Sequence, residues 1–412
     1  MKSIIVLGGG AAGMVAAITA AQNAAGRAKV ILLEKNPRVG KKLLATGNGR
    51  CNLDHSPVET KDFFTSDYFR LEEMLAAMKD HDPLKWFEEH GLLCRSDEMG
   101  RIYPYSNQAS DVLNLLLYWM EVSGVEVRTQ CEVIGLRQVE QDYQVELESG
   151  ETLVADRVIC ALGGSAAPQF GSDGAGVSMV RPFGCKSTKL YPCLVPLKCE
   201  KQQIEGLAGI RVKGDVLLCD GETPLYRESG EIQFTEYGLS GIAVMQLSGY
   251  LGQLRKVKRP EIRLDLFPEW KQRELAQWLA ERGKRLPKAD MSQFMTGLLH
   301  KRVGLAVWKR VELGNENRKV SSMSAEEWGQ LAHRFKNWRF TSLEDTGWKN
   351  AQTTGGGVQL SRLEPDSFQV SGHPGLYVVG ETTDCAGSCG GFNLHWAFGS
   401  GILAGCHVAN SL

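Results

Sequence analysis

Two stretches at opposite ends of the chain predict an α/β fold. Lys2 to Leu7 is a short β-branched run that breaks into Gly8-Gly9-Gly10-Ala11-Ala12-Gly13, and a long run of small residues follows. Gly375 to Glu381 is a second apolar run, and Gly387-Ser388-Cys389-Gly390-Gly391 separates it from another small-residue segment. Strand, glycine turn and helix in that order are the parts of a parallel sheet with helical crossovers.

Each element has a physical reason. Lys2 to Leu7 reads as a buried parallel strand. Gly8 permits the tight turn out of it, Gly10 lets the backbone approach a pyrophosphate, and Gly13 with Ala11 and Ala12 lets a helix lie close to the sheet. That helix is expected over Ala11 to Ala25, its N-terminus facing the phosphates. Lys29 to Leu33 is the second strand. It ends at Glu34, twenty-one residues after Gly13, where a carboxylate binds ribose hydroxyls and opposes a phosphorylated ribose. Lys35 is a further binding candidate beside it. Val125 to Leu136 resembles the strand whose backbone, at Val133, meets an adenine, and Val158 to Gly164 the strand and turn, with Gly163, that close the domain.

The far end selects the cofactor. A strand ending in Gly380-Glu381, then Gly391-Phe392-Asn393-Leu394 at the start of a helix expected from about Trp396 to Ala404, makes a second cradle of backbone N–H groups. Two such cradles returning to one domain are the arrangement of glutathione-reductase-type FAD proteins, so the expected fold is a Rossmann-like FAD domain. No second G-x-G-x-x-G is present, so a nicotinamide, NADH being the expected one, would dock transiently over the flavin, or another donor reduces it.

Composition bounds the remainder. The chain has 412 residues, 43% hydrophobic and 23% charged, with a net charge of −1, which suits two or three packed globular units and in its overall balance calls for neither nucleic acid nor membrane. No spanning apolar stretch and no charged leader are evident, and a cytoplasmic protein is expected. Eleven cysteines follow no framework and read as reduced thiols. Cys385 and Cys389 are not at C-x-x-C spacing, and no histidine cluster at metal-ligand spacing appears, so no metal is expected.

The middle of the chain is expected as an insertion. Residues 1–189 and 341–412 form the FAD domain, 190–250 a β-barrel-like domain, and 251–340 a helical, basic segment. That last segment holds 20 Lys and Arg against 10 Asp and Glu. It also carries Trp270, Trp278, Trp308, Trp328 and Trp338. An RNA-binding face or a site for an acidic ligand stands beside the plainer reading of amphipathic helices with core tryptophans.

Gly40-Lys41-Lys42-Leu43-Leu44-Ala45-Thr46-Gly47-Asn48-Gly49-Arg50-Cys51-Asn52 resembles the G-R-K-L-x-x-S-G-G-G-R-C-N signature of the bacterial FAD-dependent oxidoreductase family that includes the 3-dehydro-bile-acid Δ4,6-reductase. Gly100 to Pro104, Phe234 to Gly241 and Thr354 to Val358 extend the likeness along the chain. Glu236 stands where the family often has histidine, Ile242 where it has proline, Asn48 where it has glycine and Thr383 where it has an apolar residue. The resemblance implies that Lys41 and Lys42 meet the FAD pyrophosphate or ribityl region and that Gly47 lines the flavin. Arg50 is the candidate for stabilising negative charge at reduced flavin, and His395 for proton donation, each beside a purely structural reading.

The implied activity is reduction of a carbon–carbon double bond conjugated to a carbonyl. The implied substrate is a small steroid-like enone, a 3-oxo-Δ4 or Δ4,6 bile-acid intermediate, with NADH as donor. A uracil ring is also enone-like, so reduction of uridine in RNA through residues 251–340 is the main alternative. A small-amine flavin oxidase and a flavin-loaded redox sensor or scaffold are the others.

Overall fold

The apolar run at the N-terminus becomes β1 (Lys2–Leu7), the central strand of a five-stranded parallel sheet. Its neighbours on one side are β2 (Ala28–Leu33) and β3 (Glu126–Arg128), and on the other β4 (Arg157–Cys160) and β5 (Leu376–Val378). The order is β5-β4-β1-β2-β3, so a strand close to the C-terminus returns to the sheet that the first strand began. Ile4, Ile5, Val6 and Leu7 are fully buried, as a strand covered on both faces requires.

The helix α1 (Ala11–Ala24) follows β1, and α2 (Phe392–Asn410) packs on it. Small residues make that approach possible. A Cβ at Gly401 would lie 2.5 Å from the Ala12 carbonyl oxygen, and one at Gly405 2.8 Å from that of Ala16. The helix α2 begins at Phe392, one turn before the sequence-based start near Trp396. A three-stranded antiparallel meander (Val133–Val139, Asp142–Leu147, Thr152–Ala155) sits between β3 and β4 in the chain. The segment expected as one strand over Val125 to Leu136 is thus two, β3 in the parallel sheet and the first strand of the meander.

The computed structural model describes residues 1–253 and 257–412. It divides into a first unit, Met1–Cys193 with Trp348–Leu412, and a second, Leu194–Gly347. Residues 254–256, counted in the basic segment, lie outside the described residues.

The second unit is built on a seven-stranded sheet. Its long hairpin (Arg211–Asp220, Thr223–Phe234) pairs on one side with Pro260–Asp265 and then Trp338–Phe340. On the other side come Gly238–Ser240, Leu197–Lys198 and Glu344–Asp345. Helices Gln272–Arg285, Lys301–Lys309 and Ala325–Lys336 belong to the same unit and share its hydrophobic core. A boundary at residue 250 is therefore absent among the described residues, because two strands of the sheet come from the segment expected to be helical. Trp308, Trp328 and Trp338 are core residues, whereas Trp270 and Trp278 are 36% and 38% exposed. Among the described residues no helix is long and apolar enough to cross a membrane.

Candidate functional site

The turn between β1 and α1 is held by steric necessity. Gly8 has φ +102°, and a Cβ there would stand 2.5 Å from the carbonyl oxygen of Ala161. A Cβ at Gly13 would overlap the Gly8 carbonyl oxygen. Gly10 differs from both: it caps α1 in an extended conformation, and a Cβ there would meet nothing within 4 Å. The space beyond it is a partly open cleft, about 1370 Å³ when the solvent at its mouth is included.

Both cradles open on this one cleft. Gly8, Gly10, Ala11 and Ala12 line it from α1, and Asn393 and Leu394 from the start of α2. The first N–H groups of each helix have no intrahelical acceptor and carry the positive end of the helix dipole. Glu34, Lys35, Lys41, Lys42, Val133, Gly163 and Glu381 also line the cleft. Gly13, Gly47, Gly380, Gly391 and Phe392 do not line it, but act on its walls. Gly380 donates its N–H to Ser400 Oγ at 3.0 Å, Gly391 caps α2, and a Cβ at Gly47 would stand 2.8 Å from the Asn52 nitrogen. Phe392 stacks on His55 with centroids 4.3 Å apart.

Charges around the cleft are paired in a definite pattern. Glu34 Oε2 accepts the Gly9 N–H at 2.9 Å, and Oε1 accepts the N–H and side-chain amide of Asn36 at 2.8 and 2.7 Å. A carboxylate has about four lone-pair sites, so acceptor capacity is left for hydroxyls. Lys41 donates to Asn36 Oδ1 at 3.0 Å, and Lys35 pairs with Asp173. Lys42 pairs with Glu381 Oε2 at 2.7 Å, while Glu381 Oε1 accepts from the Thr354 N–H and hydroxyl at 3.0 and 2.7 Å. The Thr354 hydroxyl oxygen accepts in turn from the Ser165 and Ala166 N–H groups at 2.8 and 2.9 Å. The bonds from Lys42 through Glu381 and Thr354 to Ser165 and Ala166 join four separate segments, and only Lys42 and Glu381 were expected among them. Asn36, Thr353, Thr354 and Trp396 were missed as site residues, although Thr354 opens one of the matched motifs. Thr353 lines the cleft, and its Oγ1 is buried with no hydrogen-bond partner among the described residues.

The two catalytic candidates lie elsewhere. His395 is 8% exposed and does not line the cleft, although its neighbours Leu394, Trp396 and Ala397 do. Its Nδ1 lies 2.7 Å from Oδ1 of Asp54, itself buried, so the ring joins α2 to the strand Asp54–His55. Arg50 is exposed, 5.0 Å over the Tyr103 ring, with Nε donating to the Gly47 carbonyl oxygen at 3.1 Å. The structural reading of Arg50, which would bury it, is thereby corrected: the loop around it turns through left-handed Gly47, Asn48 and Cys51, and Arg50 is exposed. Burial pushes the Cys51 thiol up to about 12 and raises that of Cys385 well above its ordinary value, opposite to an activated thiol.

The residues fit FAD. Open space off Gly10, two uncapped helix N-termini on one cleft, spare acceptors at Glu34 and the unpartnered Thr353 hydroxyl are what an extended dinucleotide would use.

A family model described as HI0933-like protein Rossmann domain matches residues 2–407. The chain is 35% identical over 408 residues, 98% of each chain, to the 3-dehydro-bile acid delta(4,6)-reductase of Clostridium scindens. It is 27% identical over 400 residues, 96% of this chain and 95% of the other, to the ribosomal RNA dihydrouridine synthase of Escherichia coli. Among solved structures, the 3-ketosteroid delta1-dehydrogenase of Sterolibacterium denitrificans matches with a TM-score of 0.50 and 12% identity, covering 100% of both chains, a likeness of fold.

Proposed function

The chain belongs to the HI0933-like family, and from that premise we propose that this FAD-dependent oxidoreductase reduces a carbon–carbon double bond conjugated to a carbonyl in a 3-oxo-Δ4 or Δ4,6 steroid of the bile-acid type, with NADH as donor. The observation that carries the reading is 35% identity across 98% of both chains to a reductase whose name states that substrate. FAD, when bound, supplies hydride transfer to the electron-poor β-carbon.

The chain's own residues bind and orient. The first-turn N–H groups of α1, behind Gly10, Ala11 and Ala12, take the pyrophosphate, with Lys41 and Lys42 adding positive charge. Glu34 accepts ribose hydroxyls, and the backbone at Val133 meets the adenine. Glu381, fixed by Lys42 and Thr354, faces the ribityl chain, and the Asn393 N–H, with Leu394 beside it, meets the flavin end. Arg50, with no carboxylate partner among the described residues, is the cation available to developing negative charge. His395 acts through Asp54 as a clamp that positions the start of α2.

The test is anaerobic reduction of the yellow protein with NADH, followed by a 3-oxo-Δ4,6 bile acid. Prompt return of the flavin band with a product two hydrogens heavier is expected. Reduced flavin that the steroid leaves unchanged would overturn the steroid assignment, and no reduction by NADH would remove that donor.

A second reading, reduction of uridine in RNA, is favoured by full-length likeness to a ribosomal RNA dihydrouridine synthase and by the basic second unit. Reoxidation of the flavin by unmodified ribosomal RNA, with dihydrouridine formed, would select it.

A further inference from the structure

On the second unit, the helix Gln272–Arg285 has two unlike faces. Leu275, Leu279 and Gly283 are buried in the unit's core. Trp278, Arg282 and Arg285, spaced at i, i+4 and i+7, fall together on another side of the helix. A large aromatic ring left 38% exposed on a helix with a sufficient apolar face has no folding role that demands it. Its ring lies 5.9 Å from that of Trp270, itself 36% exposed.

The surroundings of Trp278 form a small built pocket, lined by Trp278, Arg282, Arg285, Gln293 and Thr296 among others. Arg282 is anchored rather than floppy. Its Nη2 donates to the carbonyl oxygens of Phe294 at 3.2 Å and Thr296 at 2.7 Å, and its guanidinium lies 5.8 Å over the Trp278 ring and 5.3 Å over Phe294. Carbonyls leave its charge unneutralised, and its Nε is buried without a partner. Arg285 is exposed and makes no ion pair among the described residues. Glu281, the one acid on the pocket's wall, pairs with Lys284 at 2.6 Å and also lies within electrostatic reach of Arg285, so one carboxylate is shared between two cations. In the same unit Arg318 is neutralised by Glu327 and Arg263 by Glu261 and Glu222, whereas Arg310, like Arg282, meets carbonyl oxygens and an aromatic ring.

We propose that this pocket binds single-stranded RNA, with a base stacked on Trp278 and the flanking phosphates held by Arg282 and Arg285. A flat aromatic face beside two guanidiniums and a single shared carboxylate suits a base next to a phosphodiester, since every base has a π-face and every linkage a charge. An acidic peptide would use the arginines and leave the tryptophan unused. The proposal goes beyond the steroid reading and is independent of it, because it concerns binding and needs no turnover. Under the uridine reading it names where the strand is gripped.

The test uses the full-length FAD-loaded protein and a fluorescein-labelled, unstructured RNA of about 12 nucleotides, with anisotropy read at several KCl concentrations. Wild type is expected to bind in a salt-sensitive way. Trp278→Ala should weaken binding by about tenfold or more, while Trp278→Phe stays near wild type. Arg285→Gln should lower the slope of log affinity against log salt by about 0.7, one phosphate contact on a single strand. Circular dichroism and retained flavin on each variant show that the fold is intact. No binding by wild type would overturn the proposal. So would unchanged binding in both Trp278→Ala and Arg285→Gln, or displacement by poly-glutamate as effective as by unlabelled RNA. Steroid reduction assayed on the same preparations reports separately on the reaction.

Discussion

Replacing Gly10 with alanine separates the cofactor site from the fold. Gly10 caps α1 at φ −83° and ψ −172°, a conformation open to any residue, and the added methyl would meet no protein atom within 4 Å. The cost to the free protein is the change of cap alone, about 0.5–1 kcal/mol, which lowers Tm by only about 1 °C in a chain of this size. The cost to FAD is larger, because the methyl occupies the space through which a pyrophosphate reaches the first-turn N–H groups. Hydrogen bonds to charged groups contribute about 1.5–3 kcal/mol each. Losing two of them would weaken FAD by about 3–6 kcal/mol, or about 10² to 10⁴-fold. Titrating apoprotein with FAD while following flavin fluorescence, alongside thermal melts, measures both quantities. A folded variant whose FAD affinity stays within about threefold of wild type would refute the placement of the pyrophosphate at α1. An apoprotein that does not fold would refute the open space beyond Gly10.

The neighbouring glycine should behave in the opposite way. Gly13→Ala would force its methyl into the Gly8 carbonyl oxygen, so soluble folded protein is not expected, with or without added FAD. Asp384 predicts a pH dependence. Burial raises its carboxyl above the usual 3.8, against the lowering effect of hydrogen bonds from Ser66 and Thr188. The native state then holds this proton more tightly than the unfolded chain, so stability falls as pH rises from the ordinary carboxylate value through the raised one. Urea midpoints for Asp384→Asn should show a flatter profile across that window, and an unchanged slope would count against the assignment. Cys51 and Cys385, fully or nearly fully buried with raised thiols, should resist iodoacetamide in the native protein while the half-buried Cys131 and Cys406 are modified. Peptide mass spectrometry reads this directly, and early labelling of Cys385 would reopen the question of a redox-active thiol. His395→Ala should lower stability by about 1–3 kcal/mol, since it leaves the buried Asp54 carboxylate with the His55 N–H but no side-chain partner, and fluorescence-monitored urea unfolding tests it.

The parts readable in the sequence are those that act over a few residues. Gly8, Gly10 and Gly13 follow a β-branched run and precede a helix, and each is required by local geometry: a left-handed turn, an open approach and a close packing contact. Glu34 was legible for the same reason, as it ends the next strand. The helix start at Phe392 was placed late because Gly391 caps it by backbone conformation, which the small-residue pattern beyond Trp396 does not mark. The second unit was divided at residue 250 because hydrophobic periodicity describes elements singly. It does not tell that Pro260–Asp265 and Trp338–Phe340 complete a sheet begun at residues 197–234.

The sequence by itself determined the cofactor class and the order in which strands and cradles come, since both follow from short runs with fixed spacing. Tertiary structure alone decided which charges meet. Lys42 and Glu381 are 339 residues apart, and His395 and Asp54 are 341 apart, so no local pattern links them. It also decided that three of the five tryptophans in the basic segment are core while Trp270 and Trp278 face outward. A side chain's partner and exposure depend on what the rest of the chain packs around it, and that is set by three-dimensional contact rather than by neighbours in sequence.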